Sequence, residues 1–481
     1  EERTTETRIA VIGLSVQDIA TAIDGRLAKV PDATAVVSGA VETDSRRVQH
    51  GGVFVALPGE FTDGHLFVDH VLGAGAAVAV VERELDVAIP QIVVASSLVA
   101  LSALAKEVLD RVRSAREANG SPIHVVAVTG SNGKTTTKNM LRGIFEAEGP
   151  TVAPRGSFNN EVGAPISILE VDYDTRFLVI EMGADSVGDV GKLVSIARPD
   201  VGIVLTVGMA HIGKFGDQDA IASAKSEMVT DLPESAIAVL NHDDWRVAAM
   251  AEQTRARVQR FGLGAGADVR AEDLEVTASG THFTLTASGK SLPVTMRILG
   301  EHHVSNALAA ITAALAVGIP VERSVAALER MRIAERWRMQ LMDGANGITI
   351  INDAYNASPE SVVAALKTLA QLGRGGRRSV AVLGEMAELG DFADEEHDRI
   401  GRLVVRLNIE KLIVVGHAAR HIHNAAGLEG SWDGESVLVA DVDDAYDVLR
   451  DELRDGDIVL VKSSNSAGLR MLGDRLAGLD S

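Results

Sequence analysis

The 481-residue sequence contains no cysteine. Disulfides and thiolate metal sites are therefore excluded, in agreement with a reducing compartment, and any metal must rest on oxygen or histidine ligands. Long apolar runs are missing too. Ile9 to Leu14 is too short for the core of a signal peptide, and the Ala-rich run from Ala307 to Ile319 is too short to span a bilayer. No export or membrane segment is expected, and the start at Glu1 without Met suggests processing or trimming. Positive charge is scarce: 46 Lys and Arg stand against 67 Asp and Glu, a formal net charge of -21. That balance opposes nonspecific binding to nucleic acid and to anionic membrane, while leaving room for a local basic pocket. Repeats of solenoid period and low-complexity segments are also missing. What remains is a chain 46% hydrophobic, able to bury several cores and of a length that predicts three domains better than one.

The most informative stretch runs from Val125 to Lys138, Val-Val-Ala-Val-Thr-Gly-Ser-Asn-Gly-Lys-Thr-Thr-Thr-Lys. An apolar β-branched run feeds a turn of Gly and small polar residues, and the residues through Glu148 read as a helix. Glycines let backbone N–H groups close around phosphate oxygens, and the helix N-terminus adds positive potential. Lys134 supplies a mobile charge and the Thr135 hydroxyl is a Mg2+ ligand type, so the loop Thr129-Gly130-Ser131-Asn132-Gly133-Lys134-Thr135-Thr136 is built for a nucleoside triphosphate. The strict phosphate-loop pattern fails at Val128, which stands where a Gly is usual; the shorter form Thr-Gly-x-x-Gly-Lys-Thr is met.

Along the rest of the chain, short apolar runs alternate with helical ones. From Leu14 to about Arg116 the pattern predicts a small α/β domain: Val53 to Leu57, a helix near Leu66 to Gly73, Ala76 to Val81, and a helix from Ser97 to Val112. Between them, Thr43 to Arg47 and Leu57 to His65 read, on spacing alone, as polar loops. Asn119-Gly120-Ser121-Pro122 is a plausible linker. Strands at Val125–Val128, Phe177–Glu181, Val201–Thr206 and Ile237–Leu240 predict a mostly parallel sheet with ligands at the carboxyl ends of its strands. Glu181 and His211 fall at those ends; singly each is an ordinary surface residue, jointly they suit binding or orienting Mg2+. Asn159-Asn160-Glu161 before Pro165 is a turn or a phosphate or substrate contact. Lys225, inside a helix from Ala220 to Leu232, is on physics alone a solvated charge. Leu274 to Leu285 alternates about Ser279-Gly280 as a β-hairpin does. His302, His303 and Asn306 open an Ala-rich helix, either capping it or facing a nucleotide base. Beyond Ile333, strands at Ile348–Ile351, Ser379–Leu383, Leu412–Val415, Val437–Ala440 and Ile458–Val461 alternate with helices Pro359–Leu372 and Asp394–Leu407 as in a doubly wound, Rossmann-like unit. Gly-x-Gly-x-x-Gly is lacking after its first strand, so a dinucleotide site is not supported. The fold class is thus α/β in three domains, 1–119, 120–332 and 333–481.

Taken in order, these residues resemble the Mur ligase family. The likeness runs from Asp44-Ser45-Arg46 and Asp63-Gly64-His65 through Thr129–Lys138, Asn159–Pro165, Glu181–Ala184 and His211–Gly216. It continues through Asn306–Ala310, Asp353–Pro359 and Gly384–Gly390, with His397 in the helix that follows. Within the family, Asn159-Asn160-Glu161-x-Gly-x-Pro and Asp353-x-Tyr-Asn-Ala-x-Pro are similar to the branch that joins D-alanyl-D-alanine to UDP-MurNAc-tripeptide. The Asp-Asn-Pro-Arg motif by which a sibling ligase reads its amino acid is not found. Two places depart from the family pattern: His303 where Asn is usual, and Ser464-Asn465 where Ser-Arg is usual.

The resemblance implies a cytoplasmic bacterial enzyme of peptidoglycan precursor synthesis, a monomer without nucleic-acid or membrane partners. It implies ATP and two Mg2+ ions as cofactors, with an acyl phosphate formed on the UDP-peptide. Lys134, His211 and Lys225 are the implied catalytic residues. Thr135 and Glu181 would ligate one Mg2+, and His211 with a carbamylated Lys225 would serve a second. Asn306, Arg338 and Asp353 would take the adenosine and ribose. Ser45, Arg46 and His65 would take the UDP-sugar, and Asn159, Asn160, Glu161, Tyr355, Asn356 and Glu385 other parts of the substrates. The alternatives are a sibling amide ligase, of the folylpolyglutamate synthetase kind among others, or a non-ligase phosphate-loop ATPase.

Overall fold

A computed structural model describes residues 11–37, 39–59, 62–154, 156–277, 279–331, 336–430 and 432–479. Three main sheets occupy three successive stretches of chain. The first has five strands in the order Arg26–Ala28, Gln91–Val93, Val78–Val81, Val53–Val55, Val41–Glu42, parallel except at the Arg26–Ala28 edge. The helix that follows runs from Ser97 to Ala118, well past the expected Val112. Ser96 caps its first turn, and Asn119 with the left-handed Gly120 ends it. Its buried Val108, Leu109 and Val112 belong to the apolar cluster that continues into the next region. Arg113 fastens the junction through Asp200 at 3.2 Å and the Arg198 carbonyl at 2.7 Å.

The central sheet has nine strands, in the order Lys290–Met296, Gly280–Ala287, Val269–Thr277, Arg257–Gly262, Ile237–Asn241, Val201–Val204, His124–Thr129, Phe177–Glu181, Thr151–Val152. Its inner parallel strands, His124–Thr129, Phe177–Glu181, Val201–Val204 and Ile237–Asn241, are buried almost throughout, which is why they read as apolar runs rather than as alternating patterns. The expected hairpin is present as an antiparallel addition, extended by the strand Lys290–Met296. His124–Thr129 lies between Phe177–Glu181 and Val201–Val204, so successive crossovers leave it toward opposite edges. A crevice opens at the carboxyl end of such a strand, and the phosphate loop occupies it.

The third sheet orders six strands as Gln340–Asp343, Thr349–Asn352, Ile458–Lys462, Ser379–Leu383, Lys411–Val415, Glu435–Val439. The edge strand Gln340–Asp343, which the sequence pattern did not single out, is antiparallel to Thr349–Asn352, and the rest are parallel. The expected boundary at 332/333 lies outside the described residues. Among those described, no helix is long and apolar enough to cross a membrane.

Candidate active site

The phosphate loop leaves the sheet at Thr129 and enters the helix Lys134–Glu146 through Gly133, whose φ of 86° is left-handed. A Cβ on Gly133 would lie 2.3 Å from Asn306 Oδ1, and one on Gly130 2.8 Å from Leu205 Cβ. Both glycines are required by space as well as by conformation. Lys134 Nζ donates to the carbonyls of Gly130 at 2.7 Å and Ser131 at 3.4 Å. Burial lowers its pKa, opposed by the nearby Glu181 carboxylate. We expect Gly133→Ala to raise the KM for ATP about tenfold, because the methyl must displace Asn306 and hold a left-handed φ. Steady-state kinetics giving an unchanged KM for ATP would refute that role for Gly133.

Glu181 ends its strand 1% exposed. Its Oε1 accepts from Asn159 Nδ2 at 2.8 Å and from Thr135 Oγ1 at 3.3 Å, and its buried Oε2 has no hydrogen-bond partner. A buried carboxylate oxygen left unpartnered beside a hydroxyl fits a hard cation. Among the described residues no cluster of three His, Asp or Glu forms a complete metal cage. Mg2+ does not need one, since it is commonly held by one or two carboxylates together with substrate phosphates and water.

His211 stands on the same rim with a left-handed φ of 63°. The Glu388 carboxylate, from the third region, lies against its Nδ1, and Lys214 bridges Glu388 at 3.2 Å and Asp185 at 3.0 Å. Burial lowers the His211 pKa, and Glu388 opposes that shift. Lys225, in the helix Gln218–Thr230, is only 4% exposed. This corrects its reading as a solvated charge: its pKa is pushed down to about 7, first by burial and then by repulsion from Lys134.

These groups share a cavity of about 1080 Å³ between the second and third regions. Its walls bring together Ser131 to Thr136, Asn159, Asn160, Glu161, Glu181, His211, Lys225 and Asn306 with Arg338, Asp353, Tyr355 and Asn356. Arg338 stacks on the Tyr355 ring at 4.1 Å and donates to Ser157 Oγ at 3.2 Å, which in turn meets Thr135 Oγ1 at 3.3 Å. Asp353 accepts from Met339 N–H at 3.0 Å and pairs with the buried Lys462 at 2.6 Å.

Three family models match in succession: the Mur ligase family catalytic domain over 39–124, the Mur ligase middle domain over 128–314, and the glutamate ligase domain of Mur ligases over 337–465. The UDP-N-acetylmuramoyl-tripeptide–D-alanyl-D-alanine ligase of Mycobacterium tuberculosis is 41% identical over 98% of this chain and 99% of its own length. The chain belongs to the Mur ligase family. In structure it is similar to MurF from Acinetobacter baumannii, with TM-score 0.87 and 31% identity over 98% of this chain and 100% of that one. It is also similar to MurF ligase from Thermotoga maritima in complex with ADP, with TM-score 0.79 and 27% identity over 92% of this chain and 97% of that one.

Several residues of this Mur ligase are placed otherwise than the sequence suggested. His65 is 4% exposed, and its ring is fully engaged: Nδ1–H donates to Asp63 at 2.5 Å and Nε2 accepts from Glu82 N–H at 2.8 Å. It braces the loop from inside instead of facing a ligand. Ser45 and Arg46, by contrast, line a second cavity of about 730 Å³ with Thr43, Asp44 and Phe67. Thr129 lies behind the phosphate loop, fully buried, and donates to the Met182 carbonyl at 2.8 Å. The Asn160 amide oxygen is taken up by the N–H of Gly163 at 2.8 Å, at the start of the helix Gly163–Ile168. Glu385 is not on the cavity wall; Glu388, three residues on, is the carboxylate that reaches His211.

Other residues were missed. Glu360 accepts from Met209 N–H at 2.8 Å and from Asn132 Nδ2 at 3.4 Å, while Ser358 Oγ donates to Asn132 Oδ1 at 2.9 Å. The first turn of the helix Pro359–Gly373 thus seats on the phosphate loop. Ser358-Pro359-Glu360-Ser361 is legible as a helix start, but its partner is not. Ser157 and Lys214 carried no sequence signal apart from their neighbours.

Proposed function

We propose that this ATP-dependent ligase joins D-alanyl-D-alanine to UDP-MurNAc-tripeptide, releasing ADP and phosphate. The observation that carries the reading is the cavity itself, where the phosphate loop and Glu181 of the central region meet Arg338, Asp353 and Tyr355 of the third. The terminal carboxylate of the UDP-peptide attacks the γ-phosphate, giving an acyl phosphate and ADP. The dipeptide amine then displaces phosphate to form the amide. Lys134 and the loop amides hold the β- and γ-phosphates and neutralise charge on the transferring group. Thr135 and Glu181 would hold one Mg2+, and His211 with a carbamylated Lys225 would serve a second. Mg2+ supplies electrostatic neutralisation of the phosphates when bound. Asn306, Arg338 and Asp353 take the adenosine side, Ser45 and Arg46 the UDP-sugar, and Tyr355 and Asn356 the incoming dipeptide. Water competes with the amine for the acyl phosphate, which gives chemical sense to covering the site with the third domain, 333–481. In keeping with these roles, the first domain, 1–119, binds the UDP-sugar and the second, 120–332, the ATP. The protein acts as a cytoplasmic monomer.

Incubation with UDP-MurNAc-tripeptide, D-Ala-D-Ala, ATP and Mg2+ is expected to give the pentapeptide product with stoichiometric ADP and phosphate. Oxygen label in the tripeptide carboxylate should appear in the released phosphate. AMP and pyrophosphate as products, or activity with single amino acids in preference to D-Ala-D-Ala, would sink the assignment.

A further inference from the structure

Arg338 is held in place by a network that reaches it from the far end of the chain. It sits between two left-handed non-glycine residues, Trp337 with φ 62° and Met339 with φ 48°. Such backbone persists only where its surroundings over-determine it. Here the surroundings can be named. Asp474, in the C-terminal helix Arg470–Leu476, is 1% exposed. Its Oδ2 accepts from Trp337 Nε1 at 2.9 Å and from Arg336 Nη2 at 2.8 Å, and its Oδ1 from Asn352 Nδ2 at 3.3 Å. The indole is also flanked by two guanidinium groups, Arg336 at 4.6 Å and Arg470 at 5.1 Å from the ring centre. Its backbone carbonyl accepts from Tyr355 N–H at 3.1 Å. On the other side, Met339 N–H is tied to Asp353.

The result is that the peptide units on both sides of Arg338 are fixed to the third sheet. The guanidinium projects over Tyr355 toward Ser157 and Thr135. A buried carboxylate with several donors is a strong anchor, since removing one partner leaves the others without water to replace it. Neither Asp474 nor Trp337 lines the cavity.

We propose that Asp474 and Trp337 are positioning residues for ATP use, acting through Arg338: the buried carboxylate pins the indole, and the pinned indole sets the backbone that aims the guanidinium into the nucleotide site. This rests on the reading of Arg338 as a nucleotide contact given above. It assigns function to two residues that touch no substrate.

The test uses the full-length enzyme and the variants Trp337→Phe, Asp474→Asn and Arg338→Ala, each alone, with the doubles W337F/R338A and D474N/R338A. Trp337→Phe keeps an aromatic ring and leaves Asp474 bonded to Arg336 and Asn352, so it is the variant to rely on if Asp474→Asn fails to fold. Expected are a KM for ATP raised about tenfold in R338A, and threefold to tenfold in W337F and D474N. The KM for the UDP-tripeptide should stay within twofold of wild type. In the R338A background W337F and D474N should add less than twofold, because the group they position is gone. A merely structural role would instead move both KM values together, and in full on either background; that outcome overturns the proposal. Impaired R338A beside normal W337F also overturns it, leaving the reading of Arg338 intact. Wild-type ATP kinetics in R338A would remove that reading and the proposal with it.

Discussion

Replacing Lys134 by Ala is expected to cut turnover by about 10^2-fold or more, roughly 2.7 kcal/mol of transition-state stabilisation, while the melting temperature stays within a few degrees. The two halves of that expectation have separate causes. Turnover falls because a preorganised cation beside the transferring phosphoryl group acts where charge develops. Stability is spared because the fold works against this ammonium: burial lowers its pKa, so the charged form is less comfortable here than in the unfolded chain. Its hydrogen bonds go to carbonyls of its own loop, at Gly130 and Ser131, and not to distant elements. Deleting it therefore removes catalysis without removing a tertiary tie. Circular dichroism and thermal melts check the fold, and single-turnover kinetics check the chemical step. Wild-type turnover in folded K134A protein would contradict the assignment of the phosphate loop.

Lys225→Ala is expected to be nearly inactive, and a short carboxylic acid in solution should restore part of the activity. An ammonium near Mg2+ and Lys134 would be repelled and of no use to the reaction. Reaction of the neutral amine with CO2 replaces the cation with a carboxylate-like anion, which suits Mg2+. The site favours the neutral amine. Among the described residues the Lys225 side chain has no hydrogen-bonding or ion-pair partner, it is 4% exposed, and its pKa is pushed down to about 7.

The sign follows. A lysine at its ordinary pKa of 10.5 is almost wholly protonated at pH 7, whereas one near 7 is about half neutral. Carbamylation should rise between pH 6 and pH 8, and activity in bicarbonate should rise with it. In bicarbonate-free buffer at pH 6, activity should fall and return when bicarbonate is added. The lowered pKa also means that a charged Lys225 costs the fold stability. That cost is absent above the unfolded pKa of 10.5, grows as pH falls from there toward the folded value near 7 and is constant below it, so the alanine variant should escape the loss of stability that this lysine causes between those two values. Carbon-13 NMR in labelled bicarbonate should show a carbamate resonance in the wild type that K225A lacks. Full activity of K225A, or no such resonance in active wild-type enzyme, would return Lys225 to the role of a buried structural lysine.

How much of this was legible in the sequence depended on how local each cause is. The phosphate loop was legible because its strand, its glycines and its Lys-Thr pair are consecutive, and their conformations follow from residues a few positions apart. Phe177–Glu181 and Ser379–Leu383 were legible to the residue, since strands buried on both faces are continuous apolar runs bounded by polar turns. The hairpin about Ser279-Gly280 followed from alternation, but its third strand, with Pro293 within it, did not.

The faces that polar side chains present were another matter. His65 and Lys225 are both buried, yet one is a brace with each ring nitrogen engaged and the other faces the cavity; nothing in their immediate neighbours separates the two. Glu385 and Glu388 sit in one motif, and which of them meets His211 is settled by how the third region docks on the second. Asp474 lies 137 positions from Trp337 and carried no sequence signal at all. By itself the sequence determined the elements, the cysteine-free chemistry open to the site and the loop that takes phosphate, because periodicity and backbone preference act over a few residues. Only the tertiary structure decided which carboxylates, amines and rings share one cavity, because burial, and with it the charge state of Lys225, is set by packing between elements far apart in the chain.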